Sequence, residues 1–288
     1  MFGVIRIGSA IVLAGLFVGA GCASDSASSS PAERDIAGGE GAKSPRQQHG
    51  KTPPTTPRPE FAADAQANLN KGNDALRMKS YLDAERYFEY VKTKYPYLDA
   101  AKEAEIRLAD TDFDRERYTE ARDRYTNFVK LHPTHPKVDY AAFRAALTHY
   151  KDMPSDFFLL PPSKEKDQTE LRAANKALTD FVRSYPNSTY LTEGKRILDD
   201  TRHRLAEHEL YVADFYAKRE RWPAVAQRLE TVVQKYSGLG YDEAALFRLH
   251  DVYGKMKDKS RAEDALRRII SRFPDTAAAS RAQQLLGS

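Results

Sequence analysis

With one cysteine in 288 residues, the chain can build neither a disulfide framework nor a cysteine-rich metal site. It also lacks a strong charge of one sign. Lys+Arg 45 against Asp+Glu 41 leaves +4, too balanced for a chain built to coat nucleic acid. Its longest apolar run, Ile7 to Gly21, falls short of the roughly 18–20 residues a bilayer-spanning helix needs. The mean hydropathy of −0.65 excludes a polytopic membrane protein. Glycine and proline are scarce after about residue 60, where Ala, Arg, Leu and Tyr dominate, and that bias predicts helices.

The enzymatic motifs are missing as well. There is no H-E-x-x-H and no G-x-S-x-G. His203 and His208 are five apart, on different faces of a helix, and His132 and His135 fall in a proline-flanked loop. Gly38-Gly39-Glu40-Gly41-Ala42-Lys43-Ser44 lacks the spacing and the preceding strand of a phosphate loop. Asp110-x-Asp112-x-Asp114 lacks the glycine and glutamate of a calcium loop, and reads as a solvated helix face. No catalytic residue, metal or cofactor is expected, and a binding role remains.

What is present begins with an address. A short basic start and the apolar run lead to Gly19-Ala20-Gly21-Cys22, a stretch that resembles the lipobox of bacterial lipoproteins. In that resemblance Cys22 takes the lipid and becomes the mature N-terminus, and Ala23 after it favours the outer membrane. The alternative is an ordinary signal peptide cut near Ala20 or Ala23. Residues 23–59 carry almost no large apolar side chain, so they are expected to form a disordered tether of roughly 35 Å r.m.s. reach.

From residue 61 onward one pattern recurs five times. Tyr81, Ala84, Phe88, Val91, Tyr95 and Pro96 stand at offsets 0, 3, 7, 10, 14 and 15. The same offsets run from Tyr118 to Pro133, Leu171 to Pro186, Trp222 to Ser237 and Lys259 to Pro274. Offsets 3, 7 and 10 share one helical face, and proline after the last aromatic ends the helix. The spacing resembles the second helix of tetratricopeptide repeats, with Gly72, Ala109 and Ala213 nine residues upstream as the small residues of first helices. The expected fold is all-α, an α-solenoid of about five such helix pairs.

Starts are 37 residues apart at both ends, but the two middle gaps are 53 and 51 residues. The first holds Asp152 to Pro162, whose Phe157 and Phe158 either pack over the solenoid or wall a peptide groove. The second predicts one long helix within Ser188–Arg219, joining the front and back halves.

Three further stretches narrow the resemblance: His132 to Tyr140, Tyr185 to Tyr190, and Arg204 to Tyr216 running into Trp222-Pro223-Ala224-Val225. With Cys22 and the Phe157-Phe158 insertion, they resemble the BamD family, tetratricopeptide lipoproteins of the outer-membrane β-barrel assembly (BAM) machinery. The resemblance implies a non-enzymatic, periplasm-facing protein, lipid-anchored in the outer membrane. Its partners would be the POTRA domains of the barrel subunit BamA, other lipoproteins of the complex and unfolded β-barrel precursors. It divides the chain into a signal peptide (1–21), lipidated cysteine and tether (22–60), substrate-facing repeats (61–186) and docking repeats (187–288). Tyr95, Phe157 and Phe158 would handle substrate, while Trp222 and Arg228 would dock BamA. Arg228→Glu is expected to break docking and leave the fold intact. Other envelope repeat scaffolds, of the cell-division or pilotin type, are the alternative.

Overall fold

The computed structural model describes residues 60–153 and 167–287. Among them lie eleven helices and no strand: α1 (Ala65–Arg77), α2 (Tyr81–Lys94), α3 (Asp99–Asp114), α4 (Tyr118–Leu131), α5 (Val138–Lys151), α6 (Thr169–Ser184), α7 (Leu191–Ala217), α8 (Trp222–Lys235), α9 (Asp242–Lys255), α10 (Lys259–Arg272) and α11 (Ala277–Gly287). Each helix packs on its chain neighbours, giving five antiparallel pairs and a terminal helix. The first helices α1 and α3, and again α5 and α7, also touch one another, so the first helices line the shorter, inner arc of the solenoid.

The recurring pattern is the second helix of each pair. Four of the five begin on the pattern's first residue, and α6 begins two residues before it. Every residue at offsets 3, 7 and 10 is buried, from Ala84, Phe88 and Val91 to Ala262, Leu266 and Ile269. Tyr95, His132, Tyr185, Tyr236 and Phe273 at offset 14 are the C-caps. Four of them stand ahead of proline, which pushes the preceding residue out of the α region and stops the helix there; Tyr236 precedes Ser237 instead.

The turn inside four of the pairs, those of α1–α2, α3–α4, α7–α8 and α9–α10, is equally regular. Lys79, Glu116, Glu220 and Lys257, each two residues before a second helix, take φ of 55–60°. The Ser80 N–H then reaches the Ala75 carbonyl at 2.8 Å and the Lys79 N–H reaches that of Leu76 at 2.9 Å, the paired bonds of a Schellman stop. Glycine is needed elsewhere: a Cβ on Gly72 would lie 2.5 Å from the Phe88 ring, so only a hydrogen lets α1 and α2 close.

Helix α7 draws in by a few residues from the predicted Ser188–Arg219, because a turn closes Ser188 onto the Tyr185 carbonyl first. Its 27 residues extend about 40 Å. Ile197, Leu205 and Ala213 enter three successive core clusters, so one helix ties the middle of the solenoid to its end. At the far end α11 buries Ala278, Ala279 and Ala282 and turns Arg281, Gln283 and Gln284 outward, a polar cap over the last pair.

Candidate peptide-binding surface

On the inner arc, α1 and α3 frame a cavity of about 630 Å³. Asn70, Asn73 and Arg77 line it from α1, at the spacing of one helical face, while Arg107 and Asp114 face them from α3. Side-chain amides and guanidinia with this spacing can bind the carbonyls and carboxylates of an extended chain. The repeat pattern does not single out these residues, because it marks the buried side of second helices and they stand on the open side of first helices.

Behind the cavity the aspartate series corrects its reading as a solvated face. Asp110 and Asp112 are buried. Asp110 accepts from the hydroxyls of Tyr125 (2.5 Å) and Tyr140 (2.6 Å) and from Arg107 Nη1 (3.0 Å). Arg144 Nε donates to the Tyr125 hydroxyl at 3.1 Å, and its guanidinium lies 3.8 Å from the Phe113 ring centre. Burial, then the Asp110 charge, pushes both tyrosines well above their ordinary range, so they stay protonated donors. Asp112 is held by Arg117 and by Arg124 Nε at 2.7 Å. These bonds lock α3, α4 and α5 together, since a buried charge is tolerated only when paired.

The residues singled out in the sequence fall in separate places. Tyr95 caps α2, half-buried, and its hydroxyl donates to the Ala63 carbonyl at 2.7 Å. Trp222 opens α8, packs on the last core cluster and carries Lys255 Nζ 4.0 Å from its ring centre. Arg228 does not simply reach outward: its Nη1 donates to the buried Glu209 of α7 at 2.9 Å, leaving a third of the side chain exposed. Cys22, Phe157, Phe158 and the tether lie outside the described residues. The structure therefore separates Tyr95, in the first pair, from Trp222 and Arg228, in the fourth.

Residues 62–268 match the family model YfiO, described as outer membrane lipoprotein. The chain is 29% identical over 206 residues to the outer membrane protein assembly factor BamD of Haemophilus influenzae, covering 69% of this chain and 78% of that protein. It is 26% identical over 214 residues to BamD of Neisseria gonorrhoeae, covering 74% and 78%. Among solved structures, a thermophilic TPR protein of Thermus thermophilus overlays 78% of this chain and 100% of its own, at 17% identity and a TM-score of 0.33.

Proposed function

The chain belongs to the YfiO outer membrane lipoprotein family, which its sequence matches over residues 62–268, and from that premise we propose that it is an assembly factor for outer-membrane β-barrel proteins. The observation that carries the proposal is the similarity, over about seven-tenths of the chain, to proteins named outer membrane protein assembly factor BamD. The protein works by binding rather than by catalysis. Cys22 anchors it by lipid, facing the periplasm, with residues 23–59 as the tether. The first three pairs (61–186) receive unfolded precursors, with Tyr95, Phe157 and Phe158 among the contacts. The inner cavity with Asn70, Asn73, Arg77 and Arg107 supports this reading, because it offers donors to main-chain carbonyls and a terminal carboxylate.

The last two pairs (187–288) dock the POTRA domain of BamA through Trp222 and Arg228. Arg228 uses Nη1 on Glu209 and keeps an exposed remainder, and a guanidinium has five N–H groups to distribute. Other lipoproteins of the complex complete the assembly. The test is affinity purification of the tagged full-length protein from detergent-solubilised envelopes. Co-recovery of BamA is expected. Recovery of another repeat-binding machine without BamA would overturn the assignment.

A further inference from the structure

The first helix pair holds a short strap of its own chain, and the bonds that hold it are unusual in kind. Asn68, fully buried, accepts the Ala62 N–H at 2.8 Å and donates to the Ala62 carbonyl at 2.8 Å and the Asp64 carbonyl at 2.8 Å. Lys71 Nζ donates to the Glu60 carbonyl at 2.9 Å, and the Tyr95 hydroxyl to that of Ala63 at 2.7 Å. The contacts to residues 60–63 are all to main chain, so they read a backbone rather than a sequence. One side chain is read: Phe61 stacks on Tyr90 with centroids 4.0 Å apart and meets Tyr87 edge-on at 5.6 Å. Even so, Phe61 remains 38% exposed, a ring laid on a surface rather than built into a core.

The groove is longer than its occupant. Past Lys71 and Tyr87 it continues as an open cavity of about 420 Å³ bounded by Ala75, Met78, Ser80 and Asp83. Helices α1 and α2 are each about 20 Å long, room for roughly six extended residues, and the strap fills about four. If the strap leaves, buried Asn68 keeps the Asp64 carbonyl of its own helix cap but loses both bonds to Ala62, which another backbone would restore.

We propose that residues 60–63 occupy in cis a slot that recognises an extended polypeptide bearing an aromatic side chain, and that strands of unfolded β-barrel precursors compete with them for it. Such strands alternate apolar and polar residues and carry aromatics near their ends. The ligand class rests on the precursor-receiving reading of the first pairs; the slot itself rests on the bonds above. A strap tethered beside its site acts at a high effective concentration and masks the slot, so that weakening it raises apparent affinity for a free competitor.

The test uses full-length protein and two fluorescein-labelled peptides, one spanning residues 57–64 and one a synthetic strand of alternating aromatic and polar residues. Phe61→Ala removes the stack, and Ala62→Pro removes the N–H that Asn68 accepts while leaving every ring in place. Each variant, with helicity unchanged by circular dichroism, should bind the 57–64 peptide about tenfold more tightly than wild type. Adding Tyr95→Phe to Phe61→Ala should take back part of the gain, and a peptide with alanine for Phe61 should lose it. Equal dissociation constants for wild type and both variants would overturn the slot, whatever precursors do at the inner arc. Tighter binding of the 57–64 peptide with no competition from the strand peptide would overturn the ligand class and leave the slot standing.

Discussion

The ion pair between Arg228 and Glu209 changes what a docking mutation means. Glu209 projects from α7 with its side chain 7% exposed, and Arg228 Nη1 meets it at 2.9 Å from α8. Arg228→Glu therefore leaves a buried carboxylate unpaired and places a second carboxylate against it. Breaking a buried pair typically costs about 3–5 kcal/mol. Arg228 is about a third exposed, so water relieves part of this, and we expect less than that range, about 2–3 kcal/mol. Glu209→Gln keeps an acceptor for Arg228 and should cost about 1 kcal/mol, near one hydrogen bond. Urea denaturation followed by tryptophan fluorescence measures this directly. The chain has one tryptophan, Trp222, six residues before Arg228 on the same helix. A loss within about 0.5 kcal/mol for Arg228→Glu, the scale of an ordinary surface change, would refute the reasoning. With the expected loss, weaker BamA binding by Arg228→Glu would report mixed loss of contact and of local fold. The Glu209→Gln, Arg228→Gln double variant removes both charges and is the cleaner probe.

Three more outcomes follow from the same structure. Gly72→Ala drives a Cβ to 2.5 Å from a fully buried Phe88 ring, whereas Gly254 has nothing within 4 Å. Overpacking of about 1–3 kcal/mol against a helix gain of about 1 kcal/mol should lower the thermal midpoint for Gly72→Ala, while Gly254→Ala should hold or raise it. Cys22→Ser should move the protein from the outer-membrane fraction to the soluble periplasmic fraction; persistence with the membrane would show that protein contacts hold it there. Burial pushes the Glu230 carboxyl up, but the Arg268 guanidinium bonded to it at 2.8 and 3.1 Å prevails, and its pKa sits below the ordinary value. A lowered carboxylate pKa contributes stability above the unfolded value near 4.5 that disappears as pH falls through the folded value. Urea midpoints measured against pH should fall less steeply on the acid side for Glu230→Gln; an unchanged slope would remove the pair from the acid response.

The sequence alone was enough for the solenoid because each pair repeats the same local physics. An apolar face at offsets 3, 7 and 10 and, in four of five repeats, a proline after an aromatic cap mark the second helices without reference to distant residues. Gly72 was marked only by the resemblance to tetratricopeptide first helices, and its need for a bare Cα comes from the Phe88 ring of the next helix. What the sequence could not resolve was the fate of charged side chains. Asp110 and Asp112 look like a solvated series along the chain, and only the arrival of Tyr125, Tyr140, Arg107 and Arg124 from neighbouring helices makes their burial tolerable. Arg228 reads as an outward arginine until α7 packs against α8 and brings Glu209, nineteen residues away, within hydrogen-bond reach. The strap was equally hidden, since Phe61 and Ala62 carry no motif and gain meaning only from Asn68, Tyr90 and Tyr95 folded around them. Helix periodicity is a property of a segment and can be read from it, whereas the partner of a polar group is set by the packing of whole helices.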